Sequence, residues 1–231
     1  MVSNPALHKL LMNFYRELLA RFGPRHWWPA ETPFEVCVGA VLTQNTAWKN
    51  VTRAITNLME ADVLDPEKIF ALPLNELAEL IRPAGYYNVK AQRLRNFVSH
   101  LMERHEGNLF SLLSLPRNSL RRELLSVNGI GPETADSIIL YAAHKPVFVT
   151  DAYTKRILYR HGLVAHTADY ASIQNLFESN LTMDVGLFND FHAQLVAVGH
   201  HYCKKKPLCP DCPLQQFPVR EDRQMDTERE P

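Results

Sequence analysis

Asp151 and Glu133 are the two carboxylates of this chain whose settings suit them to chemistry. Both lie in residues 124–156, LLSVNGIGPETADSIILYAAHKPVFVTDAYTKR. Gly129 and Gly131 flank Ile130, and Pro132 opens the next segment. Glycine allows positive φ and close backbone approach. A proline in the first helical turn gives up only an N–H that had no intrahelical partner. Leu124, Leu125 and Val127 read as the end of one helix, and Thr134, Ala135, Ile138, Ile139 and Ala142 as the packed face of the next. A helix–hairpin–helix of this kind turns the amides of Gly129 and Gly131 outward, where they suit a backbone phosphate and read no base. The same string would also serve as a plain turn between two core helices. Asp151 is a good N-cap for a further helix from Ala152, and a carboxylate there could steady a developing cation or orient a water. Glu133 complements the helix dipole and, unlike a lysine, cannot form an imine with a sugar aldehyde.

The elements that must position these groups read as helical throughout. Glycine is sparse in the 231 residues, strand-like alternation is rare, and the predicted class is all-α. Ser3-Asn4-Pro5 caps a first helix that runs to about Phe22 through Leu7, Leu11, Phe14, Leu18 and Phe22, and Gly23-Pro24 ends it. Thr32-Pro33-Phe34-Glu35 has capping-box spacing and starts a second. Further helices are expected near 47–60, 66–71, 74–81, 88–104, 117–126, 152–161, 168–179 and 185–202. The segment 214–231 is rich in proline and charge and is expected to be disordered. No apolar run is long enough to span a bilayer and no secretory signal is seen, so the expectation is a cytoplasmic, nucleoid-associated protein. The 25 basic and 25 acidic residues balance, whereas a DNA-binding protein usually carries excess Lys and Arg. The basic residues do cluster, at Lys90, Arg93 and Arg95, at Arg117, Arg121 and Arg122, and at Lys204, Lys205 and Lys206, which allows a one-sided basic surface.

Three further strings stand out. Leu42-Thr43-Gln44-Asn45-Thr46-Ala47-Trp48 closes the second helix with two adjacent amides, suited to fill the hole left by an extruded base or to bond its orphaned partner. His26-Trp27-Trp28-Pro29 pairs two indoles, suited to core packing or to sandwiching a base at about 1–3 kcal/mol per stacked base. Gly85-Tyr86-Tyr87-Asn88-Val89-Lys90-Ala91 opens a helix, with Asn88 as a further N-cap candidate and Tyr87 packed inward.

Together these motifs resemble the endonuclease III superfamily of helix–hairpin–helix DNA glycosylases over about residues 5–213, and within it the 3-methyladenine glycosylase branch. The resemblance implies a two-lobed fold with the active-site cleft between lobes. Residues 31–143 would form a multi-helix barrel carrying the hairpin; residues 1–30 and 144–213 would form a second lobe. It implies that damaged double-stranded DNA is the partner, bound by a monomer through Gly129, Gly131, Gln44, Asn45, Tyr86 as wedge and Lys90 as phosphate or helix-cap contact. Asp151 would be the essential catalytic carboxylate, with Glu133 also on the pocket wall and Trp27, Trp28 and Trp48 lining the base pocket. Members that also cut the strand carry Lys where Glu133 stands. The implied reaction is therefore hydrolysis of an alkylated purine such as 3-methyladenine, a cationic base that indoles and a carboxylate favour, with strand cleavage weak or absent. Lys145 and Lys155 are the amines that could replace that lysine. The alternatives are an endonuclease III-like glycosylase and lyase acting on oxidised pyrimidines, and a non-catalytic DNA-binding module.

Cys203, Cys209 and Cys212 read as metal ligands rather than disulfide partners. Many members of the superfamily hold a [4Fe–4S] cluster through four cysteines spaced x6, x2 and x5. This chain has x5 in the first gap, and Pro218 stands where the fourth would fall. A degenerate site, a cluster with a fourth ligand from Asp211, His200 or His201, a zinc site and a vestige are all compatible with the spacing. Cys37 reads as core.

Overall fold

The computed structural model describes residues 4–220, which are helical with no strand among them. They form two compact units: Trp28–Lys145, and the stretches up to Trp27 and from Pro146 onward.

In the Trp28–Lys145 unit, α2 (Pro33–Leu42) is the buried centre, and all of its residues after Pro33 are buried. Its start makes half of the expected capping box: Thr32 Oγ1 accepts from the Glu35 amide at 3.1 Å, while Glu35 Oε2 accepts at 2.8 Å from the amide of Glu31, one residue before the cap. Around it lie α3 (Trp48–Glu60), α4 (Pro66–Ala71), α5 (Leu74–Leu80), α6 (Tyr87–His105), α7 (Leu109–Leu113), α8 (Arg117–Ser126) and α9 (Pro132–Ser137). The helix after the hairpin does not stay α-helical. It relaxes into a π-turn over Ile138–Ala142, every residue of which is buried. The short α7 escaped the sequence reading because five residues carry too little periodicity to show.

In the other unit, α1 (Pro5–Phe22), α10 (Ala152–Arg160), α11 (Tyr170–Glu178) and α12 (Val185–His201) enclose a phenylalanine core. Phe148 stacks on Phe177 with ring centroids 3.7 Å apart, and Phe188 and Phe191 meet Phe148 edge-on. Asn4 is the N-cap of α1; Ser3 lies outside the described residues. The disorder expected from residue 214 does not hold over residues 214–220. Leu214 is buried, Phe217 packs on Phe14 with centroids 4.5 Å apart, and the Arg220 amide donates to the Arg160 carbonyl. Leu214 and Phe217 outweigh the disorder-prone composition there by reaching the core. Residues 221–231 lie outside the described residues.

Candidate active site

The hairpin turns on Gly129. Its φ is +96°, and a Cβ there would lie 2.3 Å from Arg93 Cγ of α6, so any side chain is excluded twice over. Gly131 is extended, and a Cβ there would meet nothing within 4 Å. Neither crowding nor backbone conformation requires glycine there, and the missing side chain leaves the amide approachable. The Gly129 and Gly131 amides donate to no carbonyl among the described residues. The two helices of the motif are pinned by an ion pair: Arg121 Nε and Nη2 donate to the two carboxylate oxygens of the fully buried Asp136 at 2.7 and 3.0 Å. Glu133 lies exposed in the first turn of α9.

Lys90 corrects the expectation of a phosphate contact. It is 1% exposed, and its Nζ donates to Leu42 O at 2.9 Å, Thr46 Oγ1 at 2.6 Å and Ala84 O at 2.8 Å. All three ammonium protons are spent inside, one of them on the last carbonyl of α2, which is the helix-cap role. Burial and the Arg93 guanidinium push its pKa down to about 8, so it stays a cation at neutral pH. Lys90 thereby ties the Thr43–Ala47 loop to the loop before α6, and Thr46 Oγ1 donates to Ala84 O at 2.5 Å across the same join.

Each of these joined loops presents one non-glycine residue in the left-handed region: Asn45 at φ 52° and Tyr86 at φ 46°. Both are exposed, Tyr86 to 74%. A left-handed residue with a side chain is uncommon and costs on the order of 1 kcal/mol or more. Tyr86 is also the N-cap of α6, displacing Asn88, which lies one residue inside the helix. Gln44 is differently employed. Its Nε2 donates to Gly129 O at 3.1 Å and Thr134 Oγ1 at 2.9 Å, and its Oε1 accepts from Arg93. Its amide buttresses the hairpin from behind, while Asn45 points outward.

The indoles do not form a sandwich. Trp28 meets Trp48 edge-to-face, centroids 5.1 Å apart at 88°, and packs against Tyr141 at 5.2 Å. A flat base needs parallel rings separated by about two stacking distances, so it does not fit between this pair; the three rings make one aromatic wall. The ring of Trp28 rests on Gly39 of α2, where an added Cβ would come within 3.1 Å of it. Tyr141, 4% exposed in the π-turn, was missed from the sequence because it sits inside an apolar run that reads as core. Trp27 is half-buried in the other unit.

Asp151 is the N-cap of α10, as its type and position predict. Oδ1 accepts from the Thr154 amide at 2.7 Å and from Thr154 Oγ1 at 2.8 Å. Oδ2 faces His192 Nε2 of α12 at 3.9 Å, beyond hydrogen-bonding range. His192 is buried, and burial lowers its pKa more than the nearby Asp151 carboxylate raises it, so it is neutral at pH 7. The α10–α12 packing that sets this distance is close because Gly199 admits Tyr153; a Cβ there would lie 2.5 Å from the Tyr153 ring. A carboxylate with one oxygen fixed, on a side chain that is 15% exposed beside a neutral imidazole, is poised for electrostatic work. The sequence offered no signal for His192, which sits alone on an apolar helix.

Residues 38–183 match the HhH-GPD superfamily of base excision DNA repair proteins. The chain belongs to that superfamily. It is a DNA repair glycosylase. The candidate DNA repair glycosylase MJ1434 of Methanocaldococcus jannaschii is 46% identical over 211 residues, 90% of this chain and 96% of the relative. Endonuclease III of Thermotoga maritima is 29% identical, covering 87% of this chain and 88% of the relative. Among solved structures, the 3-methyladenine DNA glycosylase MagIII of H. pylori, bound to 1,N6-ethenoadenine, matches at 30% identity with TM-score 0.70, covering 84% of this chain and 97% of that one. An endonuclease III–DNA complex matches the fold at TM-score 0.80 and 23% identity, covering 94% and 97%.

The glycosylase's cysteine motif does not fit an all-cysteine [4Fe–4S] cluster. Cys203, Cys209 and Cys212 line one recess with Arg160, Tyr202 and Pro207. Arg160 Nη1 donates to Cys203 Sγ at 3.3 Å. Burial chiefly, with Cys203 and Cys209 nearby, pushes the Cys212 thiol up to about 11. At the position of a fourth thiolate stands Pro218, whose carbonyl is hydrogen-bonded to His161 Nδ1 at 2.9 Å. Cys37 is fully buried in α2 of the other unit. Four of the nine clustered basic residues are spent internally: Lys90 and Arg121 as above, Arg93 on Gln44, and Arg95 on Leu72 O. Lys204, Lys205 and Lys206 remain exposed. Among the described residues no helix is long and apolar enough to cross a membrane.

Proposed function

We propose that this glycosylase hydrolyses the N-glycosidic bond of an alkylated purine such as 3-methyladenine and leaves the abasic strand uncut. The observation that carries the reading is the exposed carboxylate of Glu133 in the first turn of α9, at the hairpin position where strand-cutting members of the superfamily hold a lysine. A carboxylate forms no imine with the opened sugar, so water must complete the reaction. The amine of Lys145, one candidate replacement, already donates to Leu113 O at 2.6 Å. The Trp28–Trp48–Tyr141 wall supports a purine, because electron-rich rings attract a cationic, alkylated base. The MagIII match, a 3-methyladenine glycosylase with an ethenoadenine bound, points to the same class.

In this mechanism the Gly129 and Gly131 amides hold a backbone phosphate, and Asn45 and Tyr86 enter the duplex where the lesion has left it. The free oxygen of Asp151 stabilises the oxocarbenium-like sugar as the bond breaks and orients the incoming water. His192 stays neutral behind it. Exposed Lys204–Lys206 supply non-specific attraction to phosphates.

The test is release of free bases from duplexes carrying N-methylated purines, run beside oxidised-pyrimidine and abasic duplexes with borohydride. The expected result is free 3-methyladenine and no covalent adduct. The endonuclease III relatives favour a second reading, oxidised-pyrimidine glycosylase and lyase; a borohydride-trapped adduct would establish it in place of the first.

A further inference from the structure

The geometry points to a binding site for a divalent transition metal of the zinc class, formed by His100 and His105 of α6 and Glu123 of α8. The three ligand atoms all lie within 4.8 Å of one another. Glu123 Oε1 is 3.0 Å from His100 Nε2 and 2.6 Å from His105 Nε2. Tetrahedral zinc, with bonds near 2.0–2.2 Å, holds its donor atoms about 3.3 Å apart. The two Glu123 contacts reach that spacing by opening several tenths of an ångström, within the freedom of side-chain torsions.

Two features go beyond proximity. His105 Nδ1 lies 3.0 Å from Ser111 Oγ. With Nε2 on a metal, Nδ1 carries the proton and donates it to that hydroxyl, the outer-shell partner that orients a ligating imidazole. The side chains are 16%, 9% and 25% exposed, sheltered but open on one side for a water to complete the coordination. Two imidazoles and one carboxylate select zinc, cobalt or nickel over magnesium or calcium.

The site lies within the Trp28–Lys145 unit and is independent of the cysteine motif. Both helices that it joins bear on the hairpin: Arg93 of α6 lies under Gly129, Asn96 Nδ2 donates to Asn128 O at 3.0 Å, and α8 runs directly into the turn. A bound metal would clamp the hairpin's supports.

The full chain should be titrated with cobalt(II) at neutral pH and followed by visible absorption. The expected result is one equivalent showing d–d bands with no thiolate charge-transfer band. Binding should weaken at least tenfold in Glu123→Gln, which keeps side-chain shape, and in His100→Asn. Zinc should raise the melting temperature of the wild type by roughly 2–4 °C more than that of Glu123→Gln. The proposal is overturned if no nitrogen–oxygen spectrum appears, if both variants bind like the wild type, or if the signal is thiolate in character and is lost in Cys209→Ser.

Discussion

Replacing Asp151 by Asn separates the two jobs of this residue. As an N-cap, its Oδ1 accepts from the amide and hydroxyl of Thr154 at 2.7 and 2.8 Å. An Asn carbonyl accepts the same two bonds, and Asn caps helices as well as Asp. Stability should therefore change by no more than about 0.5 kcal/mol. The charge, however, is gone. A carboxylate about 4 Å from a developing sugar cation, at an effective dielectric near 20, is worth about 4 kcal/mol; deleting one preorganised electrostatic partner in other enzymes costs roughly 10²–10³ in rate. Single-turnover base release should slow by about 10³-fold, while affinity for a duplex carrying an abasic analogue stays within about threefold. Asp151→Ala adds the lost cap, about 1 kcal/mol, seen as a lower melting temperature. An Asn variant that releases base within tenfold of the wild type would refute the electrostatic role. One that is inactive only because it melts early would reduce Asp151 to a cap.

Lys90→Met leaves Leu42 O, Ala84 O and Thr46 Oγ1 without their buried donor; urea unfolding should show a loss of about 3–5 kcal/mol, and a loss under 1 kcal/mol would contradict the internal role given to this lysine. Tyr86→Ala removes a 74% exposed side chain, so the melting temperature should hold while lesion-duplex binding weakens about tenfold, measured by fluorescence anisotropy; unchanged binding would exclude it as the wedge. Buried His192 resists protonation that its unfolded counterpart accepts below pH 6.5. The unfolded state then binds the extra proton, and stability falls as pH drops below about 6.5. His192→Gln should flatten this part of the pH–melting curve, and equal slopes in the two proteins would count against the assignment.

Helix positions were readable because a 3.6-residue apolar period and good caps are local properties: Asn4, Thr32 and Asp151 cap the helices their types predict. The hairpin was readable for a similar reason, since glycine spacing reports backbone conformation directly. The direction of long side chains was not. Lys90, Arg93, Arg95 and Arg121 look like a basic surface in one dimension, yet each finds an internal acceptor. A flexible cation turns toward whichever partner folding brings near, and those partners lie far along the chain. Trp28 and Trp48 were recognisable as aromatic candidates, but their edge-to-face meeting depends on the smallness of Gly39 and on Tyr141 in the π-turn.

The sequence by itself determined the superfamily, the helical class, the glycine hairpin and the carboxylate types at Glu133 and Asp151, because each is written in residue type and short-range spacing. Only the tertiary structure decided that Lys90 is a buried knot, that Asn45 and Tyr86 stand out from loops it joins, that His192 backs Asp151 and that two histidines converge on Glu123. Those are meetings of residues distant in sequence, and packing alone selects them.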